Sequence, residues 1–112
     1  MREVNLSRPL DLEERVMVPD SAGGLSETWA VRGTLWADLR PRTAGSKEGE
    51  AASLSRSLWT ITVRASPYGS PSRPVAGNRF RDGKRLFSIL AVQEADPSAR
   101  WLLCMAEEER AI

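Results

Sequence analysis

Few side chains in this sequence are suited to catalysis. The chain has no His. A Ser-His-Asp triad, a Cys-His pair and a His-ligated zinc are therefore impossible within it. One thiol, Cys104, lies in the apolar run Trp101-Leu-Leu-Cys-Met-Ala106. Free Cys in such company behaves as a small buried hydrophobe, and a single Cys excludes an internal disulfide. Glu107, Glu108 and Glu109 are adjacent carboxylates. Consecutive residues on a strand or a frayed tail do not converge on one ion, so they read as a solvated tail. Gly23-Gly24 has no Lys-Ser/Thr after it and opens no helix, so it makes no phosphate-cradling loop. No Ser sits in a Gly-x-Ser-x-Gly elbow. The expectation is a protein with no catalytic residues, no cofactor and no metal.

Two other residue types stand out. Trp29, Trp36, Trp59 and Trp101 all fall in strand-like segments. They suit core and sheet-face packing, a subunit interface, or base stacking on a small barrel, with Arg56 and Arg64 beside Trp59. Arginine is the dominant cation. Arg40 and Arg42 frame a polar loop, while Arg73, Arg79, Arg81 and Arg85 cluster later in the chain. Glu48, Glu50 and the Glu107–Glu109 run supply the opposite sign elsewhere. Unlike patches suit head-to-tail packing of copies; a mixed solvated surface is the equal alternative.

The elements that must position these residues come from 112 residues, one domain's worth of chain. Lys and Arg total 16 against 15 for Asp and Glu, a net charge of +1, which argues against a dedicated nucleic-acid binder. With 41% hydrophobic residues and low net charge, global disorder is not expected. Residues 1–9 read as an arm with no apolar signal core. No apolar run approaches the ~20 residues of a membrane helix, so no membrane partner is expected and the chain should stay in a cytoplasm before any assembly.

Leu10, Leu12, Val16 and Val18 share one parity, the mark of a half-buried strand, with Glu14 as a bulge or rim position. Pro19-Asp-Ser-Ala-Gly-Gly24 reverses the chain. Leu25 to Arg40 is a long second strand, and Gly33 predicts a bulge or bend that lets it serve two sheets. Residues 41–53 form a long polar loop, with room for one short helix capped by Ser46. Leu54 to Ala65 alternates as a β-branched strand. Residues 66–77 are a stiff Pro-rich connector. A short element at Asn78–Arg81 meets the hairpin signal Asp82-Gly83. Lys84–Glu94 and Arg100–Ala106 are apolar on both parities, which predicts central strands covered on both faces. The tail, 107–112, is expected to fray. About six antiparallel strands with at most one short helix predict a small all-β barrel or sandwich.

The order of these pieces resembles a known family. Pro19-Asp-Ser-Ala-Gly-Gly-Leu-Ser-Glu-Thr-Trp29 precedes Leu35-Trp-Ala-Asp-Leu39 and Trp59-Thr-Ile-Thr-Val-Arg64. Then come Gly77-Asn-Arg-Phe-Arg-Asp-Gly-Lys-Arg-Leu-Phe-Ser-Ile-Leu90 and the closing Trp101-Leu-Leu-Cys-Met-Ala-Glu-Glu. Together, over about residues 10–108, they resemble the phage head-tail joining family, in the version carried by gene transfer agents and siphophage-type tails. Gly23, Gly24, Trp29, Trp36, Phe80, Gly83 and Phe87 are the motif positions. The polar insertion is richer in Gly and Ala than a helical one. The resemblance implies a head-closure, or stopper, protein of the particle neck, made in the host cytoplasm. Its partners would be itself in a ring of six or twelve copies, a portal adaptor, a tail terminator, and double-stranded DNA held without sequence preference. Arg73, Arg79, Arg81, Arg85, Glu48 and Glu50 are then the expected ring contacts, and Arg40, Arg42 and Lys47 the residues nearest DNA. Alternatives are an adaptor or tail-terminator protein of the same neck, or a barrel that binds single-stranded nucleic acid.

Overall fold

The computed structural model describes residues 3–42 and 57–109. Six strands run β1 (Arg8–Pro19), β2 (Leu25–Arg42), β3 (Leu58–Arg64), β4 (Arg79–Asp82), β5 (Arg85–Glu94) and β6 (Trp101–Glu108). All neighbours are antiparallel, in the order β1-β2-β3-β6-β5-β4. A three-residue seam, Asp11–Glu13 against Arg79–Arg81, joins β4 to β1 and closes the barrel. Closure removes the sheet edges that a small β-protein must otherwise protect. No helix occurs among the described residues; the short helix considered near Ser46 lies outside them.

Every strand contributes to one core. Leu10, Leu12, Ala37, Ile61, Val63, Phe80, Phe87, Leu102 and Cys104 are fully buried, with Ile89 and Ala106 nearly so. The even parity of β1 and the odd parity of β3 are the inward rows that alternation predicts. Trp59 closes one end of this core edge-to-face on Phe87, with ring centroids 5.9 Å apart.

β2 bends where Gly33 takes φ +150. Leu12 pairs Gly33 while Glu13 pairs Val31, so Arg32 is the extra residue of a bulge. The predicted bend is therefore present, but the irregularity lies opposite Leu12 and Glu13, not at Glu14. Beyond it, β1 and β2 leave the barrel and pair only with each other, up to Pro19 opposite Leu25. This two-stranded ribbon ends in a loop organised by Asp20. Its Oδ1 accepts hydrogen bonds from the amides of Ala22 (2.9 Å) and Gly24 (2.8 Å). Gly23 takes φ +86 there, a conformation that costs L side chains energy.

Several boundaries differ from expectation. Pro41 and Arg42 belong to β2, not to the polar loop, and Arg8 and Pro9 belong to β1, not to the arm. Asp82 pairs Arg85, so the two-residue turn is Gly83-Lys84, with Gly83 at φ +63. Glu107 and Glu108 continue β6 instead of fraying, because Leu58 and Phe87 pair with them from either side. β5 is not covered on both faces. Its inward Phe87 and Ile89 are buried, but Leu90, at a second bulge, is 46% exposed. A barrel covers only the inner face of each strand, so apolar outward residues remain uncovered within one chain.

Candidate functional site

The predicted arginine cluster is built mostly into ion pairs within the chain. β4 reads Arg79-Phe-Arg81, so Phe80 points into the core and both guanidiniums lie on the outer face. Both meet Glu13, Arg79 Nε at 2.6 Å from Oε1 and Arg81 Nε at 2.9 Å from Oε2. Glu13 is only 5% exposed. Burial raises its pKa, but the hydrogen bonds and charges of the two arginines outweigh that and hold it below the ordinary carboxylate value. The Arg79 guanidinium also lies 4.0 Å from the centroid of the Trp29 ring, a cation–π contact that ties the ribbon's base to β4.

Arg85 makes a second cluster at the far end of β5. Its Nε and Nη2 donate to Glu108 at 2.7 and 3.0 Å, and Trp59 Nε1 donates to the same carboxylate at 3.2 Å. The Arg85 hydrogen bonds lower the Glu108 pKa, and the same contact raises that of Arg85. Arg8 pairs with Asp82 beside it. Sequence reasoning missed Glu13 and assigned Glu108 to a solvated tail, whereas it pairs with Arg85. The available signal was the Arg-x-Arg spacing on a strand, which aims two cations at one neighbouring position.

Arg40 holds the N-terminal arm. It donates from Nε and Nη2 to Asp38 at 2.9 and 3.0 Å, and from Nη2 to the Glu3 carbonyl at 2.9 Å. The buried Asp38 also accepts from the Asn5 amide at 2.8 Å. Arg42 is exposed at the end of β2. Lys47, Glu48 and Glu50 lie outside the described residues.

Arg73 is separate from the other predicted arginines. It donates to the Ser66 carbonyl at 2.7 Å and lies 3.8 Å from the Tyr68 ring centroid, shaping the connector into a fixed turn. No carboxylate pairs with it among the described residues. The connector, the end of β5 and the ribbon's inner base enclose a groove of about 420 Å³. Of the motif positions, Phe80 and Phe87 are core, Gly23 and Gly83 are turn residues, and Trp29 is half-buried under Arg79. A Cβ on Gly24 would stand 3.3 Å from Asp20 Oδ2, so the second Gly keeps the turn tight. Trp36 is 55% exposed.

Among the described residues, no cluster of three metal-ligating side chains occurs. Burial pushes the Cys104 thiol up to about 12, which removes its nucleophilic form at neutral pH. What the molecule offers is surface: a rigidly stapled ribbon, a groove and exposed apolar side chains.

Comparisons with known proteins agree with that character. No curated protein matches the chain. A chain of the virion of a native gene transfer agent particle superposes with a TM-score of 0.74 at 38% identity, covering 99% of this chain and 100% of that one. Protein SF1141 from Shigella flexneri 2a, solved in solution, has the same fold at 19% identity, with a TM-score of 0.70 and full coverage of both chains. The family model described as phage head completion protein matches residues 1–109. With that match spanning the barrel, the ribbon and the connector, the chain belongs to the phage head completion protein family.

Proposed function

We propose that this chain is the head-closure, or stopper, subunit of a phage-like or gene-transfer-agent particle. Copies form a ring at the head-tail junction, between the portal's adaptor and the tail terminator, and DNA passes through the ring. The observation that carries this reading is the end-to-end likeness to a chain of a gene transfer agent virion at 38% identity. The fold supports it in two ways. A ring needs heterologous contacts between two different patches, and the barrel carries its ribbon and its groove at different places. A rigid β-barrel with no helix among the described residues fits a stopper better than a helical adaptor.

The DNA contact would be weak and independent of sequence, through phosphate. Arg42, exposed beside residues 43–56, is the described cation best suited to it; Arg40 is held by Asp38 and Glu3. The single-strand alternative finds no free platform at the ring beside Arg56 and Arg64: Trp59 is engaged by Phe87 and Glu108, and Trp101 lies under Arg64 at 5.0 Å, whereas Trp36 is exposed but stands apart from them on β2.

Cryo-electron microscopy of the assembled particle tests the proposal. A closed ring of this chain between portal and tail is expected. Its absence from the neck, or its presence only in the capsid shell or the tail tube, overturns the reading.

A further inference from the structure

Six of the seven exposed large hydrophobic residues among the described ones fall into two groups, and Leu90 stands apart at the β5 bulge. Residues opposite one another in an antiparallel pair share a face. Pro9 pairs Trp36, Glu13 pairs Val31, Arg15 pairs Trp29, Met17 pairs Glu27 and Pro19 pairs Leu25. These pairs all lie on the outer face of the β1–β2 hairpin. On it Trp36 is 55%, Val31 60%, Met17 51% and Leu25 64% exposed. Exposed apolar side chains thus recur along this face from the barrel wall to the ribbon tip, interrupted by the hydrogen-bonded Asp11–Thr34 pair and by Arg15 and Glu27. Large apolar side chains left exposed together, rimmed by polar ones, mark an interaction site.

The second group lines the groove. Tyr68, at 81% exposure, and Val75, at 52%, form its connector wall. Its other wall includes Glu14 and Arg32, ion-paired at 2.7 Å on the ribbon's inner face. The groove therefore opens under the face opposite these apolar side chains. The ribbon cannot fold its outer face into its own chain's groove, because Glu13, Arg79 and Trp29 staple its base in place. Two unlike surfaces, a ribbon face studded with apolar side chains and a groove of mixed polar and apolar lining, remain uncovered on each copy.

Resting on the ring reading above, we infer that the outer face of the ribbon docks in the connector groove of a second copy of this chain. Each copy then gives its ribbon to one neighbour and its groove to the other, the heterologous arrangement that closes into a ring. Six strand residues beyond Glu13 project the ribbon about 20 Å, enough to reach across a neighbour's groove. The ribbon, residues 15–31, carries Arg15, Asp20 and Glu27. In the groove Glu14 and Arg32 neutralise each other, which leaves Arg73 and Glu94 as its charges without an ion pair among the described residues. Glu27 is 3.9 Å from Arg15, too far for a hydrogen bond, and Arg73 has no carboxylate partner among the described residues. A Glu27–Arg73 pair across the interface would use both and fix the direction of docking.

Site-directed cross-linking tests this. Full-length chains carrying Met17→Cys or Leu25→Cys together with Val75→Cys are incorporated into particles and treated with a flexible bis-maleimide. Cys104 is buried and does not compete. A ladder of linked multimers from the double variants, with none from the single ones, is expected. No ladder in particles whose neck contains the chain overturns the docking and leaves the stopper reading intact. Linked dimers from Met17→Cys alone overturn it too, because ribbon would then meet ribbon. Should the chain be absent from the neck, the stopper reading fails, and the same ladder in concentrated purified protein decides the docking by itself. Leu25→Asp, at an exposed position, should leave the circular-dichroism spectrum unchanged and lower incorporation roughly tenfold or more. Unchanged incorporation overturns the inference.

Discussion

At the scale of single residues, Glu13 is the side chain that most repays a test. It is almost fully buried and satisfied by two arginines. Removing one partner of a buried pair leaves the others uncompensated. Glu13→Gln should therefore destabilise the chain by about 3 kcal/mol, the low end for such a loss because Arg81 reaches water. Chemical denaturation measures it, and a change below about 1 kcal/mol would mean that solvent already screens the pair. The pH dependence has a definite sign. A carboxyl whose folded pKa is lowered contributes stability above its unfolded pKa, and loses it as pH falls through the folded pKa. Glu13 and Glu108 both lie below the ordinary 4.5. Melting temperature should be flat near neutrality and fall in acid below that value, and Glu13→Gln should flatten the acid limb. Cys104 gives a second residue-scale prediction. With its thiol held near 12 and its side chain fully buried, reaction with a thiol reagent should follow global unfolding. Rapid labelling of the native protein would contradict its place in the core.

At the scale of elements, the ribbon is one long hairpin whose two ends obey different rules. Its base is held by side chains from β4, and its tip by backbone geometry at Asp20 and Gly23. Gly23→Ala forces a Cβ into φ +86 and should cost about 1–2 kcal/mol. The loss should appear as faster amide exchange in Met17–Leu25 before any change in the barrel, since local opening is governed by local contacts. Uniform acceleration across β3 and β6 would show instead that ribbon and barrel open together. The turn was legible in the sequence, because Pro-Asp-x-x-Gly-Gly states its own backbone chemistry. The ribbon's departure from the barrel was not. Alternation predicts which face of a strand is apolar, but not where its second neighbour ends.

At the scale of the whole molecule, stability rests on one small core to which every strand contributes. Phe87 is fully buried, touches Trp59 edge-to-face and pairs with both β4 and β6. Phe87→Ala should cost about 3–5 kcal/mol, a large share of the ~5–15 kcal/mol that holds a domain folded. A thermal melt checks it, and a cost under about 1 kcal/mol would mean that the barrel collapses around the gap. The near-zero net charge also changes meaning at this scale. Of the predicted ring-contact arginines, Arg79, Arg81 and Arg85 meet carboxylates within the chain and Arg73 meets none among the described residues. About half of the 16 cations and 15 carboxylates are thus engaged with one another inside the chain among the described residues, and the net charge says little about which surface is free to associate.

What the sequence determined by itself was local and ordered: strand periods, the Asp20–Gly24 turn, the bend at Gly33, the lack of any His, and a succession of motifs specific enough to suggest the family. Such features depend on residues close in the chain, so they can be read in line. The tertiary structure alone decided which charges meet and which apolar residues stay uncovered. Glu13 lies 66 residues from Arg79, and Glu108 lies 23 from Arg85. Only barrel closure and strand register bring them together, and only that register sets Met17, Leu25 and Val31 on the outward face, which no strand of the chain covers.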